Sequence, residues 1–454
     1  MPRSASTSIA EAARGLAERC AARLTALLAT AGARRLVVGF SGGADSTLLL
    51  ALARDYAARA GLPLLAVHVD HGLHPDSGAW AAHCAAQARD LGVSFEVLTV
   101  AAAPSAGASL EAWARGERYA LLAARLEADS ALLTAHHADD QAETVLQRLL
   151  WRAGPWGLAA MRDARPLGRG WLLRPLLAER RATLRAAASA LDLTWLEDPS
   201  NRELRHPRNR LRANVLPVLE ASFPDAVAAL NETAALQGEV AALLDELSDR
   251  VLDACAAPAS PPVSALLALT PRLRVCVLRR WLLRQGAPVP GRAQLDALQR
   301  ELLDARADGQ PCVAWQSVAV RRHAGQLFLT RAELPPPLPA QRWQAPWPPL
   351  ADASGTLECV PGGPTDLCAA RAAAGEVWVR QRDGGERLRL RADGPRRALK
   401  TLFQEWGVPT WRRSRWPLIY VDGELAAVPG FAVAAEFQAG PGGAALAFAW
   451  TPAD

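Results

Sequence analysis

The stretch that decides the fold is Val37-Val38-Gly39-Phe40-Ser41-Gly42-Gly43-Ala44-Asp45-Ser46-Thr47-Leu48, VVGFSGGADSTL. Its first four residues have the apolar character of a buried strand, and STLLLALARDYAARA (46–60) reads as a helix. Between them lies a turn of small residues. A strand–glycine loop–helix unit aims successive backbone N–H groups and a helix N-terminus at one point. Glycines let that backbone approach an anion closely. The anion this suits is phosphate or pyrophosphate. The commonest phosphate loop, Gly-x-x-x-x-Gly-Lys-Ser/Thr, needs a lysine, and Lys400 is the only lysine in the chain. A Gly-x-Gly-x-x-Gly fingerprint is absent as well. Asp45 instead suits a magnesium ion or the ribose or phosphate surroundings of a nucleotide. The plain alternative is a helix N-cap by Asp45 or Ser46.

Working outward, apolar runs at 35–40, 64–70, 94–100 and 131–137 alternate with Ala- and Leu-rich helical stretches at 47–60, 78–90 and 109–127. Near-continuous apolar strands separated by helices indicate a parallel sheet covered on both faces. The fold class expected is α/β, a doubly wound sheet with ligands at the carboxyl ends of its strands. The chemically suggestive residues fall there: 41–46, 70–77 and 136–143. The N-terminal 30 residues read as an amphipathic helix packed on this domain. The division expected is a catalytic domain over 1–224, a mainly helical part over 225–335, a Pro-rich linker over 336–375 and a small basic α+β domain over 376–454.

Composition excludes several classes. Half of the 454 residues are hydrophobic and the formal net charge is +5, so packed domains are expected and wholesale disorder is not. The mild basicity permits a nucleic-acid partner. The seven cysteines form no Cys-x-x-Cys pair, which supports neither a disulfide framework nor a zinc site. No run of 18 apolar residues suggests a membrane helix, and the cytoplasm is the compartment expected.

Ser-Gly-Gly-x-Asp-Ser after a buried strand resembles the PP-loop of the ATP pyrophosphatase superfamily. Three further stretches, HVDHGLHPDSGAWAAHC (68–84), TAHHADDQAETVLQRLLWRAGPWGLAAM (134–161) and WLEDPSNRELRHPRNRLRANVLPVL (195–219), resemble the tRNA(Ile)-lysidine synthetase family, and EAWARGERYALL (111–122) adds a fourth, weaker match. The resemblance is dense over 35–220. It implies that ATP is split between its α and β phosphates, with AMP carried on the C2 oxygen of the wobble cytidine of a CAU anticodon. The ε-amine of free L-lysine then displaces AMP. ATP and Mg²⁺ are the implied cofactors, tRNA(Ile) and lysine the implied partners. The oligomeric state stays open, a homodimer among the options.

That chemistry needs a phosphate grip, expected from Ser41, Gly42, Gly43, Ala44, Asp45 and Ser46, with Asp45 also facing magnesium. It also needs a neutral amine, although free lysine has a pKa of about 10.4. His136, Asp140 and Glu143 stand at i, i+4 and i+7 and share a helix face if the helix begins near His136. Carboxylates hold an ammonium or magnesium, and an ordinary imidazole suits a proton relay. The resemblance marks these three as lysine- and catalysis-associated, and ranks Arg115 and Arg208 first among arginines that include Arg205 and Arg212. His68, Asp70 and His71 are read as nucleotide contact and loop structure rather than metal ligands. Asp198 and Asn201 are read as a local turn supporting their segment.

Near the C-terminus, Arg396, Arg397 and Lys400 are expected on one helix at 395–407, followed by Trp411, Arg412, Arg413, Arg415 and Trp416. Arginine interleaved with tryptophan suits RNA backbone contact and base stacking; a basic surface over a tryptophan core explains it equally well. Two rivals stand beside the ligase reading. One is a PP-loop thiolase or other adenylating RNA modifier; the other is a nucleotide-dependent RNA-binding protein without turnover.

Overall fold

A computed structural model describes residues 3–101, 110–197, 203–204, 206–303, 305 and 310–453. Asp198, Asn201 and Arg205 lie outside the described residues. The chain separates into two compact units, Met1–Leu243 and Leu244–Asp454.

The first unit follows the pattern of the sequence. Its elements are α1 (Arg3–Ala31), β1 (Arg35–Gly39), α2 (Ala44–Ala60), β2 (Leu64–Asp70), α3 (Ser77–Asp90), β3 (Ser94–Thr99), α4 (Leu110–Arg125), β4 (Ser130–Leu133) and α5 (Ala138–Leu150). A hairpin, β5 (Ala164–Leu167) and β6 (Gly170–Leu173), and the helix α6 (Arg181–Ala190) complete it. The sheet order is β3-β2-β1-β4-β6-β5; every pairing is parallel except β5 on β6. Strand order reverses between β1 and β4. In open α/β sheets, that reversal opens a crevice at the carboxyl ends.

The core explains why these segments hold. On α1, Ala13, Leu16, Cys20, Leu24, Leu27 and Leu28 are buried, a three-to-four spacing that lines one helix face. Leu36 and Val38 of β1, Leu48 to Leu50 of α2 and Leu133 of β4 join the same core. Each such leucine contributes roughly 1.5–3 kcal/mol by leaving water.

The second unit departs further from expectation. α7 (Ala226–Asp253) begins in the first unit and ends in the second; α8 (Pro271–Arg284) follows. Three antiparallel strands, β7 (Cys312–Trp315), β8 (Val318–His323) and β9 (Gln326–Arg331), come next. The stretch 336–375, read as a linker, is folded: Gly355–Pro361 pairs antiparallel with the C-terminal strand. Leu338, Trp343 and Leu357 pack in one core with Leu399, Phe403 and Phe448. Proline density misled the reading, because tryptophan and leucine between the prolines supply the buried surface. The basic helix also starts later. Arg396–Ala398 is a strand paired with Arg387–Arg389, and only Lys400 lies on the helix, α9 (Leu399–Glu405), which α10 (Thr410–Arg413) follows. Trp416 is buried and donates its indole N–H to Pro429 O at 3.0 Å, so it is core rather than a stacking platform. Among the described residues no helix is long and apolar enough to cross a membrane, and all seven cysteines are free.

Candidate active site

The loop after β1 is built by backbone geometry. Gly42 has φ +78°, where an L side chain is strained. A Cβ there would stand 2.9 Å from Cys84 Sγ, so glycine is required twice over. The Gly42 carbonyl accepts Leu196 N–H at 2.9 Å. Ser46 Oγ donates to Gly43 O (3.0 Å) and accepts Ser41 N–H (3.3 Å), with Ser41 Oγ 3.0 Å away. The two serines therefore close the loop on itself. Gly43 is the N-cap of α2 and no side chain caps that helix, so neither Asp45 nor Ser46 plays the capping role. The positive end of its helix dipole favours an anion at this end.

Asp45, in the first turn of α2, has one carboxylate oxygen, Oδ1, buried without a hydrogen-bond partner. Its Oδ2 lies 3.6 Å from His137 Nε2. Under the loop, His68 Nδ1 donates to Phe40 O at 2.9 Å. Burial pushes the His68 imidazole below its ordinary value, which keeps it neutral in that role. Asp70 Oδ1 accepts Gly72 N–H (2.8 Å) and His71 Nε2 lies 3.4 Å from Arg118 Nε. His68 and Asp70 thus hold loop backbone in place.

The turn after β4 differs from the expected helix face. α5 begins at Ala138, not near His136, because His137 and Asp140 form a reciprocal capping box that fixes the first helical residue. His136 thus precedes the helix, its Nδ1 2.9 Å from Thr134 Oγ1. Burial lowers its pKa to about 3; Asp140 works against this, while Arg174, Arg208 and Arg115 add to it. The proton relay expected of an ordinary imidazole is therefore not available to it near neutrality; it is a neutral hydrogen-bonding group. Burial also opposes charge on His137, but Asp45, Asp140 and Asp139 together hold that imidazole above its usual value.

Asp140 and Glu143 are not open oxygens. Arg208 Nε donates to Glu143 Oε2 (2.6 Å) and its Nη2 to Asp140 Oδ1 (2.7 Å). Arg212 Nε donates to Glu143 Oε1 (2.6 Å), and its Nη2 reaches Asp140 Oδ1 and Glu143 Oε2, each at 3.1 Å. The Glu143 side chain is 0% exposed. Burial opposes charge on Asp140, yet Arg208, His137, His136 and Arg212 hold its carboxyl below the ordinary carboxylate value. Two carboxylates and two guanidiniums form a closed, charge-balanced cluster, the condition under which buried ions are tolerated. The arginines reach it from a helical run, Pro207–Arg210 and the π-helical turn Leu211–Val215.

Arg115, on α4, lies with its guanidinium carbon 5.1 Å from the Tyr119 ring centroid. Three residues at the crevice were not singled out from sequence. Arg174, just after β6, is 3% exposed, and its Nε has no partner. Arg180 pairs with Asp139 at 3.1 Å, and the Arg181 backbone N–H donates to Asp139 Oδ2 at 2.8 Å. An arginine directly after a strand is a weak signal, unreadable while the β5–β6 hairpin itself went unseen.

The C-terminal basic residues divide. Arg396 lies 3.4 Å from Glu436, Arg397 pairs with Glu405, and Lys400 is exposed. Arg413 donates to Val408 O at 2.7 Å, and burial pushes it below its usual value. Arg412 lies in the last turn of α10.

Comparison with known proteins accounts for most of the chain. A PP-loop domain matches residues 16–219, a TilS substrate binding domain 262–328 and a TilS substrate C-terminal domain 377–450. A tRNA(Ile)-lysidine synthase of Alkalilimnicola ehrlichii is 42% identical over 409 residues, covering 89% of this chain and 91% of that protein. One from Methylococcus capsulatus is 38% identical over 427 residues, covering 91% and 96%. One from Ralstonia nicotianae is 38% identical over 464 aligned residues, covering 96% and 98%. With the loop, the strand-end crevice and these full-length matches in agreement, the chain belongs to the tRNA(Ile)-lysidine synthase family.

Proposed function

We propose that this protein is an ATP-dependent ligase that joins L-lysine to the wobble cytidine of a tRNA(Ile) with a CAU anticodon. The cytidine C2 oxygen attacks the α-phosphorus of ATP and pyrophosphate leaves. The neutral ε-amine of lysine then adds at C2, and the C2–O bond breaks to release AMP. The oxygen departs as part of a phosphate monoester, a far better leaving group than oxide. The observation that carries this reading is the PP-loop at the strand reversal, with the Asp45 Oδ1 acceptor buried beside it. We place the reaction in the cytoplasm, where the tRNA pool resides.

In this reading, Ser41 to Ser46 grip the pyrophosphate by backbone N–H groups and the α2 N-terminus. Asp45 fits a magnesium ion, since a buried carboxylate oxygen without a donor suits a hard cation. Such an ion would be held by this one carboxylate and by the substrate phosphates. When bound, magnesium supplies charge neutralisation at the phosphates. Arg115 and Arg208 orient anionic groups. Asp140 and Glu143 fix the guanidiniums of Arg208 and Arg212, and lysine reaches this cluster as a third cation, competing for the Asp140 carboxylate. His136 accepts a hydrogen bond as a neutral ring.

The test is lysine incorporation. Purified full-length protein is supplied with ATP, labelled L-lysine and a tRNA(Ile) transcript. One lysine per transcript is expected, with AMP and pyrophosphate in equal amounts. Formation of ADP, or label transfer from cysteine or ammonia in place of lysine, overturns the reading.

A further inference from the structure

One cavity in the second unit has no role in the reaction above. It holds about 150 Å³ and is lined by Gln310, Pro311, Arg321, Arg322, Thr410 and Trp411. Arg321 and Arg322 are adjacent on β8, and Trp411 lies on α10. The Arg321 guanidinium carbon stands 5.7 Å from the Trp411 ring centroid, and its Nε donates to Thr330 Oγ1 at 3.1 Å. His323 and Phe328 brace the same indole edge-on, at 5.9 and 5.7 Å. Arg322 is held by the carbonyls of Leu302, Leu303 and Ala305.

The polar groups at this cavity are out of balance. The Trp411 indole N–H is buried and has no acceptor, a state that costs free energy unless a ligand relieves it. Thr410 Oγ1 donates to Gln310 Oε1 at 2.8 Å, which leaves the Gln310 amide nitrogen as a further donor. Among the described residues no carboxylate lines the cavity, and no ion pair engages Arg321 or Arg322. Several other arginines of this unit are neutralised: Arg280 by Asp249, Arg284 by Asp253, Arg382 by Glu386 and Arg397 by Glu405. A braced guanidinium, an indole N–H lacking an acceptor and an amide N–H around one hole make donors outweigh acceptors. The complement to that set is an oxyanion.

We propose that this cavity is an oxyanion site that takes a phosphoryl group, supplied by the sugar–phosphate backbone of the RNA substrate. The RNA assignment rests on the function proposed above. It is supported by the cavity drawing Arg321 from the matched substrate binding segment and Trp411 from the matched C-terminal segment. Arg321 and the Trp411 N–H are the recognising groups, and Arg322 holds the wall.

The test uses full-length Arg321→Gln, Arg321→Lys and Trp411→Phe; the last keeps an aromatic ring but has no N–H. Transcript binding is measured against salt concentration, and inorganic phosphate binding by calorimetry. Arg321→Gln is expected to weaken transcript binding about tenfold and to lower the salt slope by about one. Arg321→Lys is expected to keep the slope. Trp411→Phe is expected to weaken binding about threefold, with kcat at saturating transcript unchanged in all three. Wild-type affinity for both transcript and phosphate in Arg321→Gln and Trp411→Phe overturns the site. Loss of phosphate binding in Arg321→Gln with transcript binding intact overturns the RNA source, and leaves a free phosphate or nucleotide as the ligand. Failure of the underlying function is a separate result: the wild-type chain then forms no lysine-dependent AMP, whatever the variants bind.

Discussion

The 41–46 loop and the 136–143 turn follow neighbouring strands, β1 and β4, and treat their polar atoms in opposite ways. The turn is closed. Every carboxylate oxygen of Asp140 and Glu143 meets a guanidinium or a backbone N–H within 3.2 Å. The loop is open, with a helix N-terminus that no side chain caps and the Asp45 Oδ1 oxygen lacking a partner. Closure makes the turn a rigid framework that stabilises the native state and positions its arginines. Openness makes the loop a place where substrate completes the structure, so its residues contribute to turnover more than to folding.

This contrast can be broken most severely at Glu143. Removing its charge by Glu143→Gln leaves two guanidiniums sharing one carboxylate around a fully buried side chain. A loss of about 3–5 kcal/mol of stability is expected, with activity lost as well. Urea unfolding checks it, and a Glu143→Gln protein as stable as the parent shows that the cluster is not structural. Asp45→Ala is the opposite case. Its stability is expected within about 0.5 kcal/mol of the parent, while pyrophosphate release falls by about 10²–10³, or roughly 2.7–4 kcal/mol in the barrier. Undiminished pyrophosphate release by that variant removes Asp45 from the mechanism.

A dependence on pH sharpens the comparison further. Burial holds the folded pKa of His136 near 3, below its ordinary value of 6.5. The unfolded chain therefore binds the extra proton as pH falls between those values. Stability is retained above about 6.5 and is lost towards pH 3, by at most about 1.4 kcal/mol per pH unit. His136→Asn is expected to flatten this limb relative to the parent in thermal unfolding at stepped pH. Equal slopes for the two proteins show that His136 titrates freely in the native state.

Much of the first unit could be read from local pattern. Short apolar runs marked β1, β2, β3 and β4, and glycines at 42 and 43 marked the phosphate loop. The β5–β6 hairpin escaped because ARPL and GWLL are only four residues each, too short for a periodic signal. With it went Arg174. In the second unit, proline-rich sequence concealed a folded core around Trp343, since composition reports the turns and not the packing between them.

By itself, the sequence determined the parallel α/β sheet, the place of the phosphate loop and the residue types gathered after β1, β2 and β4, because strand period and glycine placement are local properties. Tertiary structure alone decided that Glu143 and Asp140 face Arg208 and Arg212, some 65 residues along the chain. It likewise set the neutral state of His136, the partnerless oxygen of Asp45 and the core role of Trp416. Ionisation and hydrogen-bond satisfaction depend on which distant side chains exclude water from a group, and no local stretch of sequence carries that information.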